Sequence, residues 1–514
     1  MRPNRAQLLL LLLSQSTKVV LLLAIVVAGL TGCMTSQEVT REEIPLPLPV
    51  DVDAIAFMAD TTLIQPLEAE GATVAAIVGD ARTGAMLYAH DEARTMLPAS
   101  VQKLFVAADA MLRLPTDYRF ETTIYSNGPV VNDTLFGDLI ISGGWDPSLS
   151  GAEPYSEWPW AVFDSLAHQV WTQGVRHIAG NVIAEGAAFL PGGWEVGDLE
   201  YRFAPRIAQL MWNDGSVSYA QAVSGVNSVG LKVSVSPDPV FWSAEHGELW
   251  PMHSARVLEP PPPPKPPVEN VEELAQPVTL NGSWTTTMTP SPRPRVLAGD
   301  AFRESLRRAG VSGGDSTRAV SPLPHQLPRG VPNGLKIVHQ SVSLDGILAP
   351  MLKVSSNAWA EQIAAAAGTY TRDQYQPTWP SVLDSLGMTV DPGLKVADNC
   401  GMARRNRMTV STPHELLVKA YAEWGGRWLN LLPQADEDGS TLEGRLAGLG
   451  GRVVAKTGTL SGCRSLAGYV LDENGRPMMD FVVFVNHAPE SPTWRMDEFV
   501  RKLVAEYDGG RAEE

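Results

Sequence analysis

The sequence has few of the residues that build metal or nucleic-acid sites. Its 514 residues include three cysteines and nine scattered histidines, without a His-Glu-x-x-His segment or a Cys/His cluster at ligand spacing. We therefore expect no metal site and no other cofactor. No block of Lys or Arg forms a basic stripe or tail, and the formal net charge is −17. Nucleic acid is accordingly not expected as a partner.

The N-terminal segment has the pattern of an export signal. Its first 32 residues include three basic residues and no acidic one, and positions 19–30 form an apolar run. This run is shorter than the ~20 residues that cross a bilayer, which disfavours a transmembrane anchor. The following Leu30-Thr31-Gly32-Cys33 resembles a bacterial lipobox, whose cysteine is lipidated. We predict a lipoprotein signal peptide over 1–32, acylation of Cys33 and a periplasmic, membrane-anchored protein. Met34, in place of an Asp, favours the outer membrane.

Two cysteines remain once Cys33 is assigned to lipidation. In an oxidising compartment Cys400 and Cys463 would close a loop of about 60 residues, which adds ~4 kcal/mol of stability on the chain-entropy model. Two separate buried thiols explain the sequence equally well. Both interpretations stay open at this level.

The length and composition predict several domains behind a tether. A chain of 514 residues exceeds one compact core, and positions 33–70 carry several prolines without a helical or strand period. Two short runs, 73–78 and 85–88, predict a β-hairpin, and a helix follows Pro98. From about 118 to 322, short β-like runs separated by Gly, Asn and Asp turns indicate a largely β insertion.

The C-terminal part predicts a meander closed by a helix. Strand patterns cover 452–460, 464–471 and 478–485, and an amphipathic helix covers 494–507. An antiparallel meander of this kind implies a sheet with helices packed on its face.

The first candidate catalytic pair opens the helix after Pro98. Apolar residues recur at helical spacing from Val101 onward, which places Ser100 in the first turn and Lys103 one turn later on the same side. A buried, neutral lysine amine at this position can take the proton of the serine hydroxyl. A Ser-x-x-Lys segment alone is also found wherever a serine starts a helix that carries a solvated lysine.

Two further segments carry polar groups suited to a peptide substrate. Ser355 and Asn357 lie between two helical patterns, and only a turn lets residues at this spacing face one cleft. Ser356 or Asn357 would serve equally well as a helix N-cap. The segment Lys456-Thr457-Gly458-Thr459 lies on the first strand of the meander, where the glycine admits a ligand backbone and the lysine and threonines meet a carboxylate. An ordinary strand end is the alternative.

A third serine lies in a competing motif. The segment from Gly310 to Gly314 fits the nucleophile elbow of α/β-hydrolases, with Ser312 at its centre. That elbow must follow a strand, whereas this segment follows a helical pattern over 301–309. We interpret Gly310 as a helix C-cap and Ser312 as a loop residue.

The order Ser-x-x-Lys, Ser-x-Asn, Lys-Thr-Gly is the signature of penicillin-recognising serine enzymes. Beyond these triplets, the sequence from about 73 to 502 resembles the D-alanyl-D-alanine carboxypeptidase/endopeptidase family, the class C low-molecular-mass penicillin-binding proteins. The further segments that carry the resemblance are 137–149, 193–205, 339–344 and 406–409.

The resemblance implies an α/β (α+β) multi-domain fold with a β-lactamase/transpeptidase-like catalytic domain over 71–118 and 325–510. An inserted domain over 119–215 and 296–324 interrupts it. A nested domain over 216–295 carries a Pro-rich loop at 260–267.

The resemblance also implies roles for the candidate residues. Ser100 would form an acyl-enzyme with peptidoglycan peptides or β-lactams, and Lys103 would be its base. Ser355 and Asn357 would line the cleft. Lys456 and Thr459 would hold the terminal carboxylate of D-Ala, and the backbone N–H groups of Ser100 and Thr459 would form the oxyanion hole.

One loop departs from the family pattern, because Cys400 and Ala403 replace two serines of Asp-Gly-Ser-Gly-Leu-Ser-Arg. Two other functions compete with the peptidase, and the first of them follows from the altered loop. One is a peptidoglycan-binding lipoprotein of weak activity, and the other is a serine β-lactamase, for which the long insertion is atypical. No oligomeric state follows from the sequence.

Overall fold

The computed structural model describes residues 48–150, 159–201, 203–223, 232–236, 240–242, 249–251, 283–321, 331, 333–371, 374–389 and 391–513. The predicted signal peptide, Cys33 and the Pro-rich loop at 260–267 lie outside these residues. Within the ranges just given, no helix combines the length and apolar character that crossing a membrane requires.

The α-helices occur in both the first and last parts of the described chain. They are α1 (Val52–Ala59), α2 (Gln65–Ala69), α3 (Lys103–Arg113), α4 (Pro159–Thr172), α5 (Pro294–Arg308), α6 (Leu344–Lys353), α7 (Asn357–Ala364), α8 (Ser381–Ser385), α9 (Ser411–Trp424), α10 (Gly426–Leu429) and α11 (Thr493–Glu513).

The strands vary in length along the described chain, and the two longest lie near its end. They are β1 (Thr73–Asp80), β2 (Met86–His90), β3 (Glu121–Ser126), β4 (Val130–Val131), β5 (Thr134–Leu135), β6 (Leu139–Ser142), β7 (His177–Ile178), β8 (Val182–Glu185), β9 (Ala188–Phe189), β10 (Ile207–Ala208), β11 (Ser216–Val223), β12 (Lys232–Ser236), β13 (Val240–Trp242), β14 (Leu249–Pro251), β15 (Ser283–Pro290), β16 (Ser312–Gly313), β17 (Thr317–Val320), β18 (Lys336–Gln340), β19 (Tyr370–Thr371), β20 (Gln374–Tyr375), β21 (Val453–Leu460), β22 (Cys463–Leu471) and β23 (Pro477–Asn486).

The sheet that carries the candidate site is antiparallel, with the order β2-β1-β23-β22-β21. The predicted hairpin and meander are both present in it. Because side chains alternate along a strand, β1 divides its residues between two cores. Val74 and Ala76 pack with Phe499 of α11, whereas Ala75 and Ile77 lie in the core that contains α3 and α7. Helices therefore cover both faces, and the predicted fold class is confirmed.

The segment between the two parts of this sheet forms sheets of its own. Strands β11 to β15 form one sheet, and β17-β8-β6-β3-β18 form another that packs against α4 and α5. The core beside these helices includes Phe163 and Phe302, whose rings meet edge-to-face at 5.6 Å. The insertion is thus largely β but contains two long helices.

The boundary predicted at 325 differs from the strand pairing. Strand β18 was assigned to the catalytic domain, but all its residues pair with β3, at the start of the insertion. The antiparallel hydrogen bonds from Lys336 to Gln340 place this strand in the sheet of the insertion. The catalytic part therefore resumes after Gln340.

Part of the predicted tether, residues 52–69, is folded. Over 52–69 the chain is helical, with α1 and α2 joined by a π-helical segment, Asp60–Ile64. Ile55, Ala59 and Leu63 are fully buried in the core beneath α11. Because this apolar face is buried against the sheet, these residues belong to the folded body. The prolines around 45–49 and 66 made the sequence pattern look like that of a tether.

Candidate active site

Ser100 lies at the start of the helix predicted after Pro98. The chain enters through Ala99, a non-glycine residue with φ +48°, and makes a 3₁₀ turn, Ala99–Gln102, before α3 begins at Lys103. This turn leaves Ser100 half-buried while Lys103 is fully buried. The Lys103 Nζ atom donates a hydrogen bond of 2.9 Å to Ser100 Oγ.

The ammonium group of Lys103 has three acceptors. Besides Ser100, Nζ donates to Asn357 Oδ1 at 2.6 Å and to the backbone oxygen of Cys400 at 2.7 Å. A neutral amine keeps two N–H bonds, which Asn357 and Cys400 can accept, and its lone pair then faces the Ser100 hydroxyl. Burial lowers the pKa of Lys103, against the opposing effect of Cys400, Asp398 and Glu361. This geometry suits a base that removes the serine proton.

The Ser355–Asn357 segment is the turn between α6 and α7. Ser355 has φ +59°, a conformation that is uncommon outside glycine and is often found at functional sites. Ser356 is the N-cap of α7, because its hydroxyl accepts from Trp359 N. Asn357 is therefore free of the capping role, and its Nδ2 donates to the backbone oxygen of Phe203 at 2.7 Å.

Lys456 enters the same site from β21, the edge strand of the sheet. Its Nζ donates to Ser355 Oγ at 2.9 Å and to its neighbour's backbone oxygen, Thr457 O, at 2.7 Å. Burial, with a further contribution from Lys103, holds the pKa of Lys456 well below its usual range. The site thus contains two hydrogen-bonded sets of candidate residues. Lys103 contacts Ser100 and Asn357, and Lys456 contacts Ser355.

Gly458 lies against the backbone that carries the nucleophile. A Cβ atom there would be 2.0 Å from Ser465 Oγ, 2.9 Å from Ser100 N and 3.0 Å from Pro98 O. We expected this glycine to make room for a ligand backbone. The protein's own chain occupies that space instead. Its neighbours on β21 differ in burial, with Thr457 buried and Thr459 exposed.

The loop with the two replaced serines is ordered by Asp398. This buried carboxylate accepts from Gly401 N at 3.0 Å, Ala403 N at 2.8 Å and Asn406 Nδ2 at 2.7 Å. Cys400 Sγ also donates to it, at 3.4 Å, as a serine hydroxyl would. The loop conformation therefore does not depend on the two missing hydroxyls.

Cys400 and Cys463 are free, buried thiols. Cys400 donates to Asp398, whereas Cys463 Sγ donates to the backbone oxygen of Leu97 at 3.5 Å. The alternative of two separate thiols is therefore the one that the structure has.

Ser312, the competing candidate, lies on a short strand of the insertion. It follows α5 and Gly310, which has φ +86°, as the sequence predicted, but it belongs to β16 rather than to a loop. Its exposed hydroxyl contacts His177 Nδ1 and donates to Arg176 O. Ser312 does not follow a strand and does not form a nucleophile elbow.

Sequence reasoning missed the buried groups behind Lys103. Glu361, on α7, accepts from the backbone N–H groups of Asn399 and Cys400 at 2.9 Å each. Trp194 Nε1 donates to Asp398 at 2.8 Å from within the insertion. For Glu361, the available signal was one acidic residue inside an otherwise mostly apolar helical pattern.

Glu361, Asp398 and Cys400 lie close enough together to be considered as metal ligands. Each oxygen of the two carboxylates already accepts at least two hydrogen bonds from backbone or side-chain donors. An ionised carboxylate offers about four lone-pair positions, and these donors already occupy them. The chemistry of the group therefore suits a hydrogen-bonded support for the loop better than an ion.

The comparisons with known proteins cover most of the chain. The sequence model of the D-Ala-D-Ala carboxypeptidase 3 (S13) family matches residues 58–504. A D-alanyl-D-alanine carboxypeptidase of Actinomadura sp. (strain R39) is 30% identical, over 90% of this chain and 85% of that protein. The D-alanyl-D-alanine carboxypeptidase DacB of Haemophilus influenzae is 26% identical, over 81% of this chain and 86% of that protein.

The fold has a solved counterpart. The crystal structure of penicillin binding protein 4 (dacB) from Haemophilus influenzae superposes with a TM-score of 0.62 at 21% identity. The match covers 88% of this chain and 98% of that one. At this level of identity the likeness concerns the fold.

Proposed function

This chain belongs to the D-Ala-D-Ala carboxypeptidase 3 (S13) family, and we propose that it cleaves D-Ala-D-Ala peptides of peptidoglycan through an acyl-enzyme on Ser100. It is a serine-type peptidase, and β-lactams acylate the same hydroxyl. The observation that carries the residue assignment is the 2.9 Å hydrogen bond between the buried Lys103 amine and Ser100 Oγ.

Acylation begins when the neutral Lys103 amine takes the Ser100 proton. The Ser100 oxygen attacks the carbonyl carbon of the penultimate D-Ala and forms a tetrahedral intermediate. As the C–N bond breaks, the proton that Lys103 took from Ser100 passes through the Ser355 hydroxyl to the leaving amine, and Lys103 becomes neutral again. The Ser355 hydroxyl accepts a hydrogen bond from Lys456. Water then attacks the ester carbon and gives a proton to the neutral Lys103 amine. Lys103 passes this proton to the Ser100 oxygen as the ester bond breaks, which releases the shortened peptide and restores the Ser100 hydroxyl.

Groups on either side of Gly458 are suited to bind the two negatively charged parts of the substrate, the oxyanion and the terminal carboxylate. The backbone N–H groups of Ser100 and Thr459 are assigned to the carbonyl oxygen, which becomes an oxyanion in the intermediate. The close approach of Gly458 to Ser100 N supports this assignment because it brings the edge strand beside the nucleophile. Lys456, with the hydroxyls of Thr457 and Thr459, is assigned to the terminal carboxylate of the peptide.

The experiment is intact-protein mass spectrometry with benzylpenicillin on soluble protein that starts after Cys33. Wild type should gain one covalent adduct and Ser100→Ala none. Release of D-Ala from a pentapeptide, or cleavage of a cross-linked dimer, then separates carboxypeptidase from endopeptidase activity. Folded wild type without an adduct would refute the Ser100 mechanism. Acylation without peptide release would favour a binding protein, and rapid repeated penicillin hydrolysis would favour a β-lactamase.

We also propose that the chain is exported and anchored by a lipid on Cys33. The support is the basic N-terminal segment, the apolar run at 19–30 and the lipobox-like sequence that ends at Cys33. Expression of the full chain in a Gram-negative host should give a membrane-associated, detergent-soluble protein, and Cys33→Ala should release it from the membrane fraction. An unchanged distribution of Cys33→Ala would contradict the lipid anchor.

A further inference from the structure

A buried carboxylate lies directly behind the contact between Lys103 and the loop at 398–403. Glu361 is fully buried on α7. Its Oε1 accepts from Asn399 N and Cys400 N, and its Oε2 accepts from Asn399 Nδ2 and Tyr375 OH, all at 2.9 Å. Four donors aimed at one carboxyl favour its ionised form.

These bonds fix the peptide group that Lys103 contacts. Glu361 accepts hydrogen bonds from the backbone N–H groups of Asn399 and Cys400. The backbone oxygen of Cys400 in turn accepts from Lys103 Nζ at 2.7 Å. Asn357, four residues before Glu361 on α7, supplies another Lys103 acceptor at 2.6 Å. Residues four apart share one face of a helix, so a single face of α7 sets two of the three Lys103 contacts.

The charged and titratable groups that face Lys103 come from several elements. Glu361 lies on α7, Asp398 and the Cys400 thiol on the loop, and Lys456 on β21, while Tyr375 on β20 donates to Glu361. Burial and the nearby Asp398 raise the pKa of Glu361 to about 7, against the hydrogen bonds that it accepts. Burial lowers the pKa of Lys103, and the carboxylates oppose this change. The charge state of Glu361 therefore bears directly on the proton held by Lys103.

We propose that Glu361 is a positioning residue: it aims the Cys400 carbonyl at Lys103, and its negative charge favours the protonated form of the Lys103 amine. This inference rests on the proposed function, in which Lys103 acts as the base. It makes acylation depend on pH through two coupled groups, because loss of the Glu361 charge lets Lys103 become neutral at lower pH.

The test is the pH profile of benzylpenicillin acylation, measured by quenched-flow mass spectrometry. Glu361→Gln keeps the shape and removes the charge. It should shift the midpoint of the acidic limb down by about one pH unit, which is the size expected for an opposite charge at short range. Its maximal rate should fall as well, because the Gln amide nitrogen cannot accept the bonds that Oε2 accepts from Asn399 and Tyr375.

Tyr375→Phe is the second variant, in case Glu361→Gln does not fold. It deletes one donor to the Glu361 carboxylate, keeps the carboxyl group and should raise the pKa of Glu361. The midpoint should then move in the same direction by a smaller amount. Glu304→Gln is the matched control, because Glu304 is equally a buried carboxylate but pairs with Arg307 in the insertion. Its profile should equal that of wild type.

The outcomes separate this inference from the proposed function. Wild type that is not acylated at any pH refutes the function itself. Wild type that is acylated, with unshifted midpoints in every folded variant at Glu361 and Tyr375, overturns the role of Glu361. A lowered rate with an unshifted midpoint also overturns it, since that is the signature of a purely structural contact.

Discussion

The Cβ position of Gly458 lies 2.9 Å from the backbone nitrogen of Ser100, so the edge strand and the nucleophile turn touch without an intervening side chain. The contact joins residues far apart in the chain. Any side chain at this position must separate the two elements.

Gly458→Ala should therefore damage both stability and activity. The added methyl would overlap Ser465 Oγ and crowd Ser100, so we expect a loss of about 1–3 kcal/mol in unfolding free energy. Benzylpenicillin acylation should slow more than tenfold, about 1.4 kcal/mol in activation free energy. Gly451→Ala is the control, because no heavy atom lies within 4 Å of its Cβ position. Equal behaviour of the two variants in thermal melts and acylation would contradict this explanation.

Lys103→Met should remove the base and retain most of the side-chain volume. We expect acylation to slow by about 10²–10⁴-fold, the usual contribution of general-base catalysis. Circular dichroism must show a native fold for the result to count. Lys395→Met, at an exposed lysine, should acylate like wild type. A Lys103→Met rate close to that of wild type would refute the assigned base.

The acylation rate of wild type should rise with pH and level off below the usual lysine range. Only the neutral Lys103 amine accepts a proton, and burial lowers its pKa from the ordinary 10.5. The rate is therefore low where the ammonium form dominates and increases as the pH passes the lowered pKa. Rapid-quench kinetics across the range of protein stability measure this profile. An acylation rate that falls with rising pH would contradict the role of neutral Lys103 as the base.

Cys400→Ser should restore the residue expected from the family pattern with little effect on rate. Lys103 contacts the backbone oxygen of Cys400, and the thiol donates only to Asp398. A hydroxyl can donate the same bond, so acylation should stay within about threefold of wild type, well under 1 kcal/mol. A change of tenfold or more would show that the thiol itself affects the reaction.

The two thiols should resist alkylation in the folded protein. Both are buried, and burial raises the pKa of Cys463 to about 12 and that of Cys400 well above its usual range. Protein that starts after Cys33 should take up no iodoacetamide when folded and two equivalents in denaturant without reductant. Absence of labelling in denaturant would instead reveal a disulfide.

Local patterns in the sequence predicted the candidate residues that the structure places in contact. Ser100 and Lys103 are one helical turn apart, Asn357 follows a turn, and Lys456 lies on an alternating strand, so each needed only short-range periodicity. The strands of the meander and the final helix were predicted for the same reason. Hydrophobic spacing within an element determines these features.

Long-range pairing and buried polar partners could not be predicted in this way. The pairing of β18 with β3 depends on hydrogen bonds between residues more than 200 positions apart. The role of Glu361 depends on donors from a loop 38 and 39 positions later. Residues 52–69 are helical because a sheet completed near residue 486 buries their apolar face. Such features arise from tertiary contacts that no single window of sequence contains.

The position of β1 has a consequence for how the chain folds. This strand lies between β2 and β23, so its inner neighbour is made roughly 400 residues after it. A growing chain holds the turn at Ser100 long before the strand that completes the sheet, and β1 keeps an unpaired edge until then. Such pairing between distant residues favours slow folding, and the sheet that carries Lys456 is complete only once β23 has been made.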